Sequence, residues 1–152
     1  MLATEQSSLL TPLQDRWQEG LGGGFVVIPS VLLLKQSELG LDCEDVVVLA
    51  NLLVHWWEES RAPFPRTESL AKRMGISRRT VQRRIRQLEE KGFLTRVMSA
   101  REEGTGQIAH YDLRQMVEKL KPLGQQALAN RESNKARRET KQKARPVEFE
   151  EQ

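Results

Sequence analysis

Cysteine is nearly absent from this 152-residue chain: Cys43 stands alone, so no intramolecular disulfide can form, and a reducing, cytoplasmic setting fits that usage. Histidine is scarce as well. His55 and His110 are isolated from each other and from Cys43, which leaves no metal-ligand cluster, and neither a metal nor another cofactor is expected. The longest apolar run, residues 25–34, is ten residues long and holds Pro29 and Ser30, far short of the roughly 20 needed to cross a bilayer. The first residues show no basic stretch ahead of an apolar one, so no secretory signal is read. No nucleophile is matched with a base and an orienting group, and Glu102 and Glu103 lack the further carboxylates of a two-metal nuclease. An enzyme is therefore not expected.

Net charge is also low, at +3, yet its distribution is uneven. Residues 1–65 carry nine acidic and three basic side chains, whereas residues 66–101 carry three acidic and eleven basic ones. A local excess of +8 in one short stretch steers a polyanion regardless of the total.

Along the chain, residues 1–24 read as a flexible arm, with a short helix around residues 12–19 and a linker through Gly20, Gly22, Gly23 and Gly24. That linker lacks the Lys-Ser/Thr ending of a phosphate loop. Phe25-Val26-Val27-Ile28 looks like a short buried strand, after which Pro29 opens a helix over residues 30–35. Asp42, three residues ahead of Asp45, predicts an N-cap for a helix over residues 43–58, whose Val48, Leu49, Leu52, Leu53 and Trp56 share one face. Cys43 is expected to be a partly buried helix-start residue. Trp57 is expected either at a dimer contact or partly covered by the loop at Pro63 to Pro65, and those prolines bar continuation of the helix.

Thr67 is expected to cap a helix over residues 68–74, Gly75 to turn the chain, and Ser77 to cap a second helix over residues 78–91. Val81, Ile85 and Leu88 then form a buried stripe, and Arg79, Arg83 and Arg86 project within about 40° of the opposite side, flanked by Gln82. Gly92 stops the helix. Two strands over residues 93–98 and 108–113, joined by a polar loop with Gly104 and Gly106, make a hairpin wing. Asp112 caps a terminal helix bearing Leu113, Met116, Val117 and Leu120, weakened at Pro122 and Gly124. Residues 125–152, with six basic residues between Lys135 and Arg145, read as disordered or as a frayed, solvated helix.

The spacing Leu70-Ala71, Gly75-Ile76-Ser77, Thr80-Val81, Ile85, Leu88-Glu89, Gly92-Phe93-Leu94 resembles the winged helix-turn-helix of bacterial, plasmid and phage DNA-binding proteins. Upstream, Phe25 to Leu33 and Leu41 to Leu49 are similar to the lead-in of two replication groups, the N-terminal domain of primosomal DnaD-type proteins and the phage replication protein O-like proteins. The resemblance covers residues 25–113. It implies a mainly α fold with a small β-hairpin wing, a flexible N-terminal arm over residues 1–24, a DNA-binding domain over residues 25–121 and a charged tail over residues 122–152.

In such a fold the second helix reaches base edges in the major groove, where an arginine fork can bind guanine and glutamine can bind adenine. Arg79, Gln82 and Arg83 are the candidates for that role. Arg78 and Arg86 suit phosphates, as do Ser77 and Thr80 at the helix start and Arg96 and Arg101 on the wing. A solvated arginine face is the competing reading, but five arginines between residues 78 and 86 repel one another and favour an external anion. RNA is disfavoured, since no aromatic pair is placed to stack bases.

The expected function is a sequence-selective regulator of transcription, a bacterial or plasmid repressor, located with nucleoid or plasmid. The alternative is a replication or partition accessory protein that binds origin repeats and recruits partners through the N-terminal arm or the C-terminal tail. A homodimer is expected by analogy with related folds.

Overall fold

The structure is a computed structural model and describes residues 12–101 and 104–143, with side chains to residue 140. Glu102, Glu103 and the final segment from Ala144 lie outside the described residues. Residues 12–17 are helical and run into a 3-10 turn over Gln18–Gly23, so the glycine cluster is locally ordered where the sequence suggested an irregular linker. Helices α1 (Ser30–Leu34), α2 (Cys43–Leu53), α3 (Thr67–Met74) and α4 (Arg78–Glu90) follow. A hairpin of β1 (Thr95–Ala100) and β2 (Gln107–Asp112) comes next, and α5 (Arg114–Lys143) ends the order. This is the mainly helical architecture with a two-stranded antiparallel wing that the motif spacing implied.

Periodicity accounts for the core. Val48, Leu49 and Leu52 of α2, Leu70 and Ala71 of α3, and Val81, Ile85 and Leu88 of α4 are buried together with Phe93 and Leu94. From α5 come Met116 and Leu120, preceded by Leu113, and α5 closes the domain by packing on α1. Gly75 takes φ 67° and Gly92 takes φ 75°, left-handed values that glycine adopts freely, and these two positions set the turn and the exit of the helix-turn-helix. Beside Gly92, the Lys119 ammonium lies 5.4 Å from the centre of the Phe93 ring.

Several boundaries differ from the sequence reading. Phe25 to Ile28 is no strand: β1 pairs only with β2 among the described residues, so this segment has no ladder, and Val27 is 72% exposed. Helix α2 stops at Leu53 because the amides of His55 and Trp56 turn back to the carbonyls of Leu52 and Leu53, tightening the last turn. Trp56 packs on the core, Trp57 stands 75% exposed and Cys43 is exposed. At α3 the cap is Arg66, whose carbonyl accepts the Leu70 amide, which makes Thr67 the first helical residue. The wing is held to the domain by the Tyr111 amide, which donates to the Pro63 carbonyl at 2.8 Å. Its register sets Arg96 opposite Tyr111 and Met98 opposite Ala109.

Helix α5 runs straight through Pro122 and Gly124, past residue 121 where the sequence placed the end of the domain. Proline removes one amide donor, which would have served the carbonyl of Glu118. Glu118 and Pro122 are both exposed, so water can take over that carbonyl.

Charge fixes α4 against α2. Asp42 and Asp45 form a reciprocal capping box, the Asp45 amide donating to Asp42 at 2.9 Å and the Asp42 amide donating to Asp45 at 3.2 Å. Arg84 of α4 pairs with Asp42 and Glu44, and Lys91 donates to the fully buried Asp45 at 2.6 Å. The Asp45 amide, followed by Arg84, holds the Asp42 carboxyl below its ordinary value. Its stabilising effect is complete above the carboxylate range near pH 4 and disappears as pH falls through the lowered value. Thermal melts from about pH 7 to 3 should show this loss, and Asp42→Asn should be less stable at neutral pH with a shallower acid limb. Replacing Lys91 with Met leaves Asp45 buried and short of a partner, and should cost about 1–3 kcal/mol in chemical denaturation.

Candidate nucleic-acid interface

Helix α4 sorts its five arginines by partner. The buried stripe of Val81, Ile85 and Leu88 points inward, and Arg84 lies on the flank that meets the acidic start of α2, with only 17% of its side chain exposed. Its guanidinium donates to Asp42 and Glu44, and at 3.4 Å to Gln87. Arg79, Gln82, Arg83 and Arg86 are exposed, and none of these three arginines forms an ion pair among the described residues. Periodicity placed those three arginines on the outer face, and the inward stripe leaves them there.

Arg78 is exposed but engaged, its guanidinium 2.9 Å from the Glu68 carboxylate at the start of α3. The backbone amide of Glu68 itself, then Arg78, Thr67 and Arg66, keep the Glu68 carboxyl below its usual value. Ser77 caps α4 as expected, its hydroxyl accepting the Thr80 amide at 3.1 Å, and the Ser77 and Thr80 hydroxyls lie 2.9 Å apart. The Ser77 hydroxyl thus takes up the Thr80 amide, while Ser77, Arg78 and Arg79 at the start of α4 are exposed. On the wing, Arg96 is clasped by Glu89, whose carboxylate accepts both its amide at 3.0 Å and its Nε at 2.8 Å. That pairing and the Arg96 amide keep Glu89 ionised below the ordinary range. Arg101, at the end of β1, is exposed.

These elements border one open groove between α3, α4 and the wing. Arg66, Arg78, Gln82, Arg96, Arg101 and Tyr111 line it, with Glu68 among them. Burial pushes the Tyr111 phenol up, so it remains a neutral hydroxyl. The structure therefore brings Arg78, Gln82, Arg96 and Arg101 to a common groove and leaves Arg79, Arg83 and Arg86 on the outer face. Arg66 was missed by the sequence reading, although its place just ahead of a short helix in a basic stretch was a usable signal. Glu68 was missed too, because a lone acid at a helix start reads as a dipole partner. Such an arrangement offers fixed cationic donors to a phosphate chain and forked donors to base edges. Among the described residues no group of His, Cys, Asp and Glu gathers for a metal, and no helix is long and apolar enough to span a membrane.

Comparison with known proteins gives the relationship. The family model of the DnaD N-terminal domain matches residues 28–132. The crystal structure of the N-terminal domain of DnaD protein from Geobacillus kaustophilus HTA426 is similar at 29% identity and a TM-score of 0.52, covering 78% of this chain and 96% of that one. A search of curated proteins gave no match.

The separation of structural from outward arginines is open to a direct check. Arg84→Ala should lower the melting temperature, at a cost of up to about 1 kcal/mol, because the half-exposed Asp42 and Glu44 at the start of α2 lose their ion pairs to α4. Arg79→Ala with Arg83→Ala should leave it unchanged, since both side chains are exposed and make no ion pair among the described residues. Equal losses in the two variants would refute the assignment.

Proposed function

The chain belongs to the DnaD N-terminal domain family, and from that membership we propose that it is a double-stranded DNA-binding protein of DNA replication. The sequence reading ranked a transcriptional repressor first and a replication accessory protein second. Family membership over residues 28–132 reverses that order, because DnaD-type proteins are a replication group. One observation carries the DNA-binding part: Arg79, Arg83 and Arg86 stand exposed on the outer face of α4, without carboxylate partners among the described residues, while Arg84 is held by Asp42 and Glu44 at the start of α2.

In this reading α4 enters the major groove, and Arg79, Gln82 and Arg83 read base edges. Arg86 and Arg101 hold phosphates directly, as does the amide end of α4 beside Ser77 and Thr80. Arg78 and Arg96 contribute once phosphate competes with Glu68 and Glu89, an exchange of one oxyanion for another. For partner recruitment the chain offers exposed apolar side chains in its acidic N-terminal part, Phe25, Val27, Leu34 and Trp57, which suit a replication protein or a second copy.

Footprinting of the wild-type chain on its own replicon should protect repeats at a replication origin; protection confined to promoter operators would restore the repressor reading. Arg79→Ala with Arg83→Ala should abolish the footprint, and a retained one would exclude α4 as the reading helix. Arg101→Ala should weaken all duplexes alike and reduce the slope of log affinity against log salt by about one.

A further inference from the structure

Helix α5 does more than close the core. Its last core-facing side chain is Leu123, and from Gln125 to Thr140 every side chain is exposed. At about 1.5 Å per residue, residues 125–143 extend the helix roughly 28 Å past its anchor. The helix is continuous, so Met116 and Leu120 in the core deliver this free half at a set angle.

The free half carries four cations and two carboxylates between residues 125 and 140. Arg131, Lys135 and Arg138 are spaced i, i+4, i+7 and share one side, whereas Arg137 lies about 100° round the helix from Arg138. Glu132 and Glu139 sit about 100° round from Arg131 and Arg138, and flank Lys135 at spacings of three and four residues. None of the four cations forms an ion pair among the described residues. Between residues 125 and 140 Leu128 is the only large apolar side chain, so the helix has no seam to bury in a protein groove or against a second helix. Its exposed cations repel one another at helical spacing, and an external polyanion relieves that repulsion.

We infer that the free half of α5 is a second contact with duplex DNA, independent of base sequence, in which Arg131, Lys135, Arg137 and Arg138 take backbone phosphates. Arg131 and Arg138 are two turns apart, about 10.5 Å, close to the major-groove width of roughly 12 Å. A helix crossing the groove sets one guanidinium on each phosphate wall. The inference rests on the chain binding duplex DNA, but it does not depend on α4 being the reading helix.

The test uses the full chain and a fluorescent duplex of random sequence, titrated by anisotropy between roughly 50 and 200 mM salt. Both measurements are made in the Arg79→Ala, Arg83→Ala background, which removes two of the three outer-face arginines of α4. Replacing Arg131, Lys135, Arg137 and Arg138 with Gln, a good helix former, should reduce the salt slope by about 3 to 4 and weaken binding at about 100 mM salt at least tenfold. Glu132→Gln with Glu139→Gln should tighten it. An unchanged slope and affinity in the four-residue variant would overturn the inference, even if that variant lost an acidic protein partner. A footprint retained by the α4 variant refutes the α4 assignment alone, and a wild-type chain that binds no duplex refutes the DNA-binding reading itself.

Discussion

The buried carboxylate of Asp45 is the constraint around which the domain is arranged. A buried carboxylate is tolerated only when it is paired and hydrogen-bonded. Here Lys91 and the Asp42 amide both meet Oδ2, while Oδ1 has no hydrogen-bond partner among the described residues and lies 3.7 Å from the Arg84 guanidinium. Lys91 sits at the end of α4 and Arg84 in its body, so satisfying the start of α2 fixes both the position of α4 and its rotation about its own axis. Once that rotation is set, the outer face holds Arg79, Arg83 and Arg86, and the wing that follows Gly92 is aimed beside them.

The same arrangement changes the meaning of the charge asymmetry. The acidic N-terminal part is not electrostatically separate from the basic stretch. Asp42, Glu44 and Asp45 neutralise part of the basic stretch from within the fold. Glu68 and Glu89 do likewise for Arg78 and Arg96 at the groove. What remains unpaired is a smaller, directed set of cations, which is better suited to orient a phosphate chain than an undivided excess would be.

Motif spacing made the central unit legible. The stripe through Val81, Ile85 and Leu88, the Ser77 cap, and the glycines at 75 and 92 each rest on local rules, and each is found where those rules place it. Elements whose definition depends on a distant partner were not legible. Phe25 to Ile28 has the composition of a strand, but a strand exists only beside another, and β1 and β2 pair with each other. Pro122 and Gly124 weakened the terminal helix in the sequence, and the tail beyond read as disordered or as a frayed, solvated helix. Because that proline lies on the solvent side, its missing bond falls where water can replace it, and the helix continues into the basic segment.

Local periodicity and capping thus determined that the chain carries a winged helix-turn-helix with a basic second helix, since these depend on neighbours within a few residues. Which arginines stay available was decided by the tertiary structure alone. Arg83 and Arg84 are adjacent and identical in chemistry, yet Arg83 projects from the outer face and Arg84 is spent on Asp42 and Glu44, some forty residues away in sequence. The 100° turn between consecutive helical residues separates the two side chains, and the packing of α2 against α4 places acid beside only one of them.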